Sequence, residues 1–387
     1  MGLFPHALPD FPWDSLAPYL ETASAHPGGL VNLSVGTPVD STPAVVQEVL
    51  ADTADAPGYP TTQGTSEFRE AVAAWFERRR GVAGLGPEAV LPTVGSKELV
   101  GLLPAMLGLG QGDIVVHPAT AYPTYDVGAR LAGATPVATD DVAVWEGNRA
   151  VKLVWVNSPS NPTGAVATTA HLAAIVAAAR SIGAVVASDE CYAELAWTEP
   201  FVESGVPSIL DPAVCGASHA GVIAAYSLSK QSNLAGYRAA FVAGDPALIK
   251  QVLETRKHIG LMMPTPVQAA ATAALRDDSH VVAQRERYRL RRRHLWDALQ
   301  VAGFRIDHSD AGLYLWATRD EDCWETVGFL ADLGILVAPG SFYGVTGSHH
   351  VRVALTATDE RIEAACERIA STGGRNTSAA TRLAKDG

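Results

Sequence analysis

Several stretches of this sequence set chemically able residues directly behind short apolar runs. Ser227-Leu228-Ser229-Lys230 follows the run 221–226. A lysine whose ammonium is held against an apolar sheet edge becomes a Schiff-base nucleophile; in a looser setting it is a solvated surface residue. Ser188-Asp189-Glu190-Cys191-Tyr192 follows Val185-Val186-Ala187. A carboxylate there is costly to bury without a cationic or hydrogen-bonding partner. It could cap a following helix or hold the proton of a heteroaromatic nitrogen. Asn157-Ser158-Pro159-Ser160-Asn161-Pro162-Thr163-Gly164 is a rigid polar loop, suited to a ligand edge or to a plain strand-to-helix connection. Arg238, eight residues past Lys230, is a cation near two serines and could grip a phosphate. Thr93-Val94-Gly95-Ser96-Lys97-Glu98 precedes a helical stretch, so it is either an anion-binding helix start or an ordinary serine cap.

Those residues need elements to carry them. Between about residues 90 and 245, short β-branched runs alternate with alanine-rich stretches of helical spacing. Residues 114–116, 152–156, 184–187, 222–226 and 239–242 read as buried strands, and 96–107 and 169–181 as helices. Such alternation implies a mainly parallel sheet covered on both faces. Ligands of such sheets sit beyond the carboxyl ends of the strands, where the polar residues named above stand. A long helix over about 280–302 breaks the alternation. The strands 304–307, 313–316 and 351–355 and the helices 325–333 and 359–369 then suit a smaller α+β domain. The expected organisation is a large domain over 40–280 and a small domain from 1–39 plus 281–372. The Pro- and Gly-rich N-terminal arm would wrap over the small domain or a partner subunit. The tail 373–387 lacks apolar periodicity and is expected to be disordered.

Composition excludes several classes. With 387 residues, 48% hydrophobic and 18% charged, the chain can bury a large core. Lys and Arg number 29 against 41 Asp and Glu, a net charge of −12, the wrong sign for a protein that grips nucleic-acid backbones. Arg285, Arg287, Arg289, Arg291, Arg292 and Arg293 form one basic stretch, without aromatic interleaving or a second patch. A solvated, ion-paired helix face is expected there, and no nucleic acid. The 4 cysteines have no paired spacing, and neither His6, His26, His117 nor His349-His350 has ligand spacing, so neither disulfides nor a metal are expected. A basic start with an apolar run is missing, and no stretch approaches the ~18 residues of a membrane span. A cytoplasmic protein without membrane contact is the expectation.

An anion cradle, a strand-end carboxylate, a strand-end lysine and an arginine together are what pyridoxal 5'-phosphate requires. The chain resembles the fold-type I, class I/II pyridoxal-phosphate aminotransferases over roughly residues 10–372, most specifically in NSPSNPTG, SDECY and SLSKQSNLAGYR. The resemblance implies an α/β fold of fold type I, with a mainly parallel sheet in the large domain and a smaller α+β domain. It implies that Lys230 holds the cofactor covalently and shuttles the substrate α-proton, and that Asp189 keeps the pyridine nitrogen protonated. Asn161 and Tyr192 would hydrogen-bond the phenolic oxygen, and Tyr122 would stack on the ring. Ser96 and Lys97 (mainly by backbone), Ser227 and Arg238 would cup the phosphate. Arg352, in His350-Val351-Arg352-Val353, would clamp the α-carboxylate of an amino-acid or 2-oxo-acid substrate, with the Gly36 backbone lining it. Tyr59, in Gly58-Tyr59-Pro60-Thr61-Thr62-Gln63-Gly64, would reach the partner subunit's phosphate in a homodimer.

Within that family, LPDFPWDSLAPY, HPGGLVNLSVGTPVDSTP and APGYPTTQGT are similar to actinobacterial-type N-succinyldiaminopimelate aminotransferases of lysine biosynthesis. This implies N-succinyl-LL-2,6-diaminopimelate as donor, with 2-oxoglutarate and glutamate as the other pair. The remote end of that donor needs donors or cations. Arg256, Lys257 and His258 are candidates, or simply a charged helix end, and Gly260-Leu261-Met262-Met263 either lines the pocket or packs. The alternatives are an aspartate, alanine, aromatic or N-acetyldiaminopimelate aminotransferase, or a carbon–sulfur β-lyase using the same cofactor residues.

Overall fold

The computed structural model describes residues 8–383, with side chains to Thr372. A two-residue strand, β1 (Val31–Asn32), comes first. Seven strands then build the large sheet: β2 (Val90–Val94), β3 (Ile114–His117), β4 (Thr135–Ala138), β5 (Val151–Asn157), β6 (Val185–Asp189), β7 (Val222–Ser227) and β8 (Ala239–Gly244). Their order is β2-β8-β7-β6-β5-β3-β4. All neighbours run parallel except β8, which is antiparallel to both β2 and β7. Apolar side chains fill both faces, which is why β7 and β8 are buried along their whole length and read as unbroken apolar runs. Parallel register sets Asn157 opposite Asp189, and Ser227 ends the next strand, so three polar residues emerge at one edge.

Helices hold this sheet from either side. Phe68, Val72, Trp75 and Phe76 recur at helical spacing in Ser66–Arg80 and are all buried on one face. Each such burial stabilises the fold by about 1.5–3 kcal/mol. Thr65 caps that helix by accepting from the Phe68 N–H, and Gly81, at φ 66°, ends it. On the other face Ser96–Met106 packs against Thr124–Leu131 through Gly128, where a Cβ would lie 2.8 Å from the Val100 carbonyl oxygen.

The smaller unit is an antiparallel sheet of β9 (Arg305–Asp307), β10 (Tyr314–Thr318), β12 (Ala338–Pro339) and β13 (Val351–Ala354), ordered β12-β13-β10-β9. A separate strand, β11 (Ile335–Leu336), pairs in parallel with β1. The helix Ala17–Ser24 lies on Cys323–Asp332, with the Tyr19 and Trp324 rings 5.4 Å apart. The N-terminal arm therefore covers the small unit of its own chain. The arginine-rich stretch lies on the helix Ser279–Val301, and one expectation for it needs correction. Arg291 is buried rather than solvated, bridging Asp40 at 2.7 Å and Asp359 at 2.7 Å. Arg289 is exposed and pairs with Glu286, as expected of a solvated face. The last helix is Asp359–Leu383; the expectation for the tail falls on side chains after Thr372 and on residues 384–387, which lie outside the described residues. Among the described residues no helix is long and apolar enough to cross a membrane.

Candidate active site

The residues expected to hold the cofactor and the substrate carboxylate, Tyr59 excepted, line one cavity of about 440 Å³ at the carboxyl edge of β5, β6 and β7. That volume suits a small cofactor and its substrate.

One end of the cavity is built for an anion. The helix Ser96–Met106 starts after Gly95, at φ 82° and with no side-chain cap, and the first backbone N–H groups of a helix have no intrahelical partner. A Cβ at Gly95 would collide with the Arg238 guanidinium, so glycine is what allows that cation to lie against the helix start. Arg238 itself has φ 56°, rare for a non-glycine residue, and its Nη1 donates to the Ala235 carbonyl at 2.8 Å. Ser227 Oγ caps the short helix Leu228–Gln231, accepting from the Ser229 N–H at 3.2 Å and donating to Ser229 Oγ at 2.8 Å. A guanidinium, two hydroxyls and a helix N-terminus converge, as a phosphate dianion requires.

A buried carboxylate occupies the centre. Asp189 ends β6 and is 8% exposed. Tyr125 Oη donates to its Oδ2 at 2.9 Å, and the Cys191 N–H donates to its Oδ1 at 3.2 Å. Burial pushes the Asp189 carboxyl above the usual carboxylate range, while the bonds from Cys191 and Tyr125 and the charge of Lys230 pull it back. Burial together with the Asp189 charge holds the Tyr125 phenol well above its ordinary value, so Tyr125 remains the donor. Asn157 Nδ2 donates to the Asp189 carbonyl at 3.1 Å, fixing the strand end.

Opposite it, segments far apart in sequence meet. Lys230 Nζ donates to the Gly36 carbonyl. Arg352, 3% exposed, projects from β13; its Nη1 donates to Asn161 Oδ1 at 2.8 Å and its Nη2 to the Ser34 carbonyl at 2.6 Å. Its Nε is buried without a partner among the described residues. The guanidinium carbon lies 4.0 Å from the Tyr314 ring centroid. Tyr314 Oη is 3.2 Å from Tyr192 Oη, and a Cβ at Gly36 would strike it. Burial raises the Tyr192 phenol well above its ordinary value. At Tyr314 burial acts the same way, but the Arg352 and Lys230 charges outweigh it and lower the phenol.

Some expected residues do not come to this cavity. Tyr59 is 96% exposed and lies apart from it in its own chain. Arg256 is wholly buried, bonded to Glu98 and, at 2.9 Å, to the Leu261 carbonyl. Lys257 pairs with Glu254 in solvent, and Met263 packs in the large core. As candidates for a remote substrate end, Arg256, Lys257 and His258 are corrected: none lines the cavity in this chain. Tyr125, Tyr314, Cys191, Asn157, Phe11 and Trp13 line it without having been expected. Asn157 had a signal, as the first residue of the polar loop; Tyr125 and Tyr314 look like ordinary apolar-face residues.

The donor set fits pyridoxal 5'-phosphate. An anion cup at Gly95 and Arg238, a buried carboxylate, a cavity-facing amine and the Tyr122 ring correspond to phosphate, ring nitrogen, aldehyde and ring face. Comparison with known proteins agrees. Residues 29–369 match the family described as aminotransferase class I and II. The chain is 58% identical to 4-dedimethylamino-4-oxo-anhydrotetracycline transaminase OxyQ of Streptomyces rimosus, over 94% of this chain and 99% of that one. It is 55% identical to probable aminotransferase Rv1178 of Mycobacterium tuberculosis, over 94% of this chain and 85% of that one. A solved probable N-succinyldiaminopimelate aminotransferase from Thermus thermophilus superposes with TM-score 0.82 at 28% identity, covering 94% of this chain and 100% of that one. With a fold-type I architecture, a cavity shaped for the cofactor and a family match across most of its length, this chain belongs to the class I and II aminotransferases, enzymes that depend on pyridoxal phosphate.

Proposed function

We propose that the enzyme moves the α-amino group of N-succinyl-LL-2,6-diaminopimelate to 2-oxoglutarate in two half-reactions, within lysine biosynthesis in the cytoplasm. The observation that carries the amino-acid part is Arg352. It is a buried guanidinium with two donors engaged by Asn161 and Ser34 and, among the described residues, its Nε without a partner, a planar fork ready for an α-carboxylate. Gly36 supplies backbone beside that fork. The bound cofactor supplies an aldehyde that joins amines and a protonated ring that draws electrons from the α-carbon. Asp189 holds the proton of the ring nitrogen, and Asn161 and Tyr192 orient the phenolic oxygen. Tyr122 covers the ring, while Ser96, Lys97, Ser227 and Arg238 hold the phosphate. Lys230 Nζ, once free, takes the proton from the α-carbon and returns it. Residues 40–280 form the cofactor domain, and 1–39 plus 281–372 the domain that brings Arg352. The enzyme is a homodimer in which the exposed Tyr59 reaches the partner's phosphate.

The donor identity is supported by the N-terminal text and by the solved likeness from Thermus thermophilus. A second reading is favoured by the 58% identity to the Streptomyces rimosus enzyme, whose name specifies a 4-oxo-anhydrotetracycline. Half-reaction spectroscopy across a donor panel decides between them. N-succinyl-diaminopimelate should show a kcat/KM well above those of aspartate, alanine and the aromatic amino acids, and turnover should require 2-oxoglutarate. Pyruvate formed without any oxo acid would mark a lyase. Turnover of the ring ketone with glutamate, and none of the diaminopimelate derivative, would establish the second reading.

A further inference from the structure

Tyr314 projects from β10 into the cofactor cavity beside Tyr192, although the transfer of an amino group does not by itself require its hydroxyl. Strand pairing explains its surroundings. On the β10–β13 ladder Tyr314 lies opposite Ala354 and Trp316 opposite Arg352, so these four side chains share one face. Arg352 is thus the diagonal neighbour of Tyr314, and its guanidinium carbon lies 4.0 Å from the ring centroid. Lys230 donates to the Gly36 carbonyl, and a Cβ on residue 36 would strike Tyr314 Oη, so glycine there leaves room for the oxygen that separates tyrosine from phenylalanine.

The two hydroxyls, Tyr314 Oη and Tyr192 Oη, are 3.2 Å apart, and among the described residues neither has another hydrogen-bond partner. Two phenols joined by one hydrogen bond have one hydrogen to spare, and it belongs to the phenol that accepts. The surrounding charges decide which that is. Burial opposes ionisation of both, but at Tyr314 the Arg352 and Lys230 charges outweigh it and hold the phenol below its ordinary value. Tyr192 stays well above its own. The more acidic phenol is the better donor.

We propose that Tyr314 is a positioning residue, donating to Tyr192 Oη and so turning the Tyr192 hydrogen into the cavity toward the phenolic oxygen of the cofactor. The inference rests on Tyr192 meeting that oxygen, and it adds the group that orients the hydrogen. A bond accepted by Tyr192 also polarises its own O–H and strengthens the bond it donates. The reverse arrangement would direct the Tyr192 hydrogen to Tyr314 and leave the cofactor oxygen without that donor.

The two arrangements predict opposite signs. Pyridoxamine 5'-phosphate, the amine form of the cofactor, binds without a covalent link to Lys230, so its Kd for the full chain is free of that link. At slightly acid pH, Tyr314→Phe, which keeps the ring beside Arg352, should weaken this binding by about two- to tenfold, the range of a net hydrogen bond. The same change should cost nothing in a Tyr192→Phe background. It should also cost nothing toward 3-deoxypyridoxamine 5'-phosphate, which lacks the phenolic oxygen. A 3-fluorotyrosine in place of Tyr314, close in outline but a stronger acid, should tighten the amine form, and it carries the test if the phenylalanine variant does not fold. Tighter binding by Tyr314→Phe, or looser binding by the fluorinated variant, would show Tyr192 donating to Tyr314 and overturn the proposal. An equal loss in the Tyr192→Phe background would mark a packing effect and overturn it too. Weakening by Tyr192→Phe with none by Tyr314→Phe overturns it and leaves the role of Tyr192 standing. If neither substitution matters, Tyr192 does not meet the phenolic oxygen, and both readings fall.

Discussion

Replacing Tyr125 with phenylalanine removes a single oxygen from the interior and tests how Asp189 stays ionised. The phenol donates to Asp189 Oδ2 at 2.9 Å in a fully buried setting, so phenylalanine keeps the ring packing against Trp155 and loses only the bond. A hydrogen bond to a charged group contributes about 1.5–3 kcal/mol. At about 1.36 kcal/mol per unit, the carboxyl, already raised by burial, should rise by a further one to two pH units. The sign follows directly. Holding a protonated ring nitrogen requires the carboxylate, so cofactor affinity falls as pH drops through the Asp189 pKa. In Tyr125→Phe that fall should begin one to two pH units higher. Unfolding of the cofactor-free protein reports the same bond from the other side. Because the folded pKa is raised, ionised Asp189 costs stability above it; the variant should be less stable than the parent by about 1.5–3 kcal/mol at high pH and equal to it once the group is protonated. Equilibrium cofactor binding from pH 5 to 9, followed by the visible absorbance, measures the first effect, and Asp189→Asn provides the background in which Tyr125→Phe should cost little. Superimposable binding curves for Tyr125→Phe and the parent would refute the reasoning.

Lys230→Ala should abolish turnover and the borohydride-trappable link to the cofactor; peptide mapping of a trapped lysine elsewhere would reject the assignment. Mixing Tyr59→Phe chains with Lys230→Ala chains should restore one intact site per hybrid dimer, and verified exchange without recovered activity would show that each site comes from one chain. Arg80→Met should destabilise the fold by about 3–5 kcal/mol, seen as a lower denaturant midpoint at unchanged slope, because Glu190 would remain buried without its 3.2 Å partner.

What could be read beforehand follows from where the physics is local. β5, β6 and β7 are apolar runs ended abruptly by Asn157, Asp189 and Ser227, so both strands and site edge show in the text. β1, β11 and β12 hold two residues each, too few for any period; β1 and β11 form only because distant ends of the chain are brought together, and β12 only by pairing with β13. Tyr125 and Tyr314 sit among apolar neighbours, and nothing local separates a phenol that packs from one that donates to Asp189 or faces Arg352. Arg256 shows the converse: a charged triplet at a helix end reads as available, yet Glu98, 158 positions away, consumes its charge. Pairings across such distances have no signature in one sequence.

The pairing of β1 with β11 also sets an order of events during synthesis. Val31 waits for Ile335, 304 positions later by subtraction, and at about 5–20 residues per second the ribosome needs roughly 15–60 s to deliver it. Through that interval Val31 and Leu33 have no strand to join, and the Ser34 carbonyl has no Arg352 to accept from. Gly95, Ser96, Ser227 and Arg238, which this chain brings to one end of the cavity, are all translated well before Arg352 at the other end. The two ends of the cavity are therefore separated in the time of synthesis, and the end that holds Arg352 arrives last.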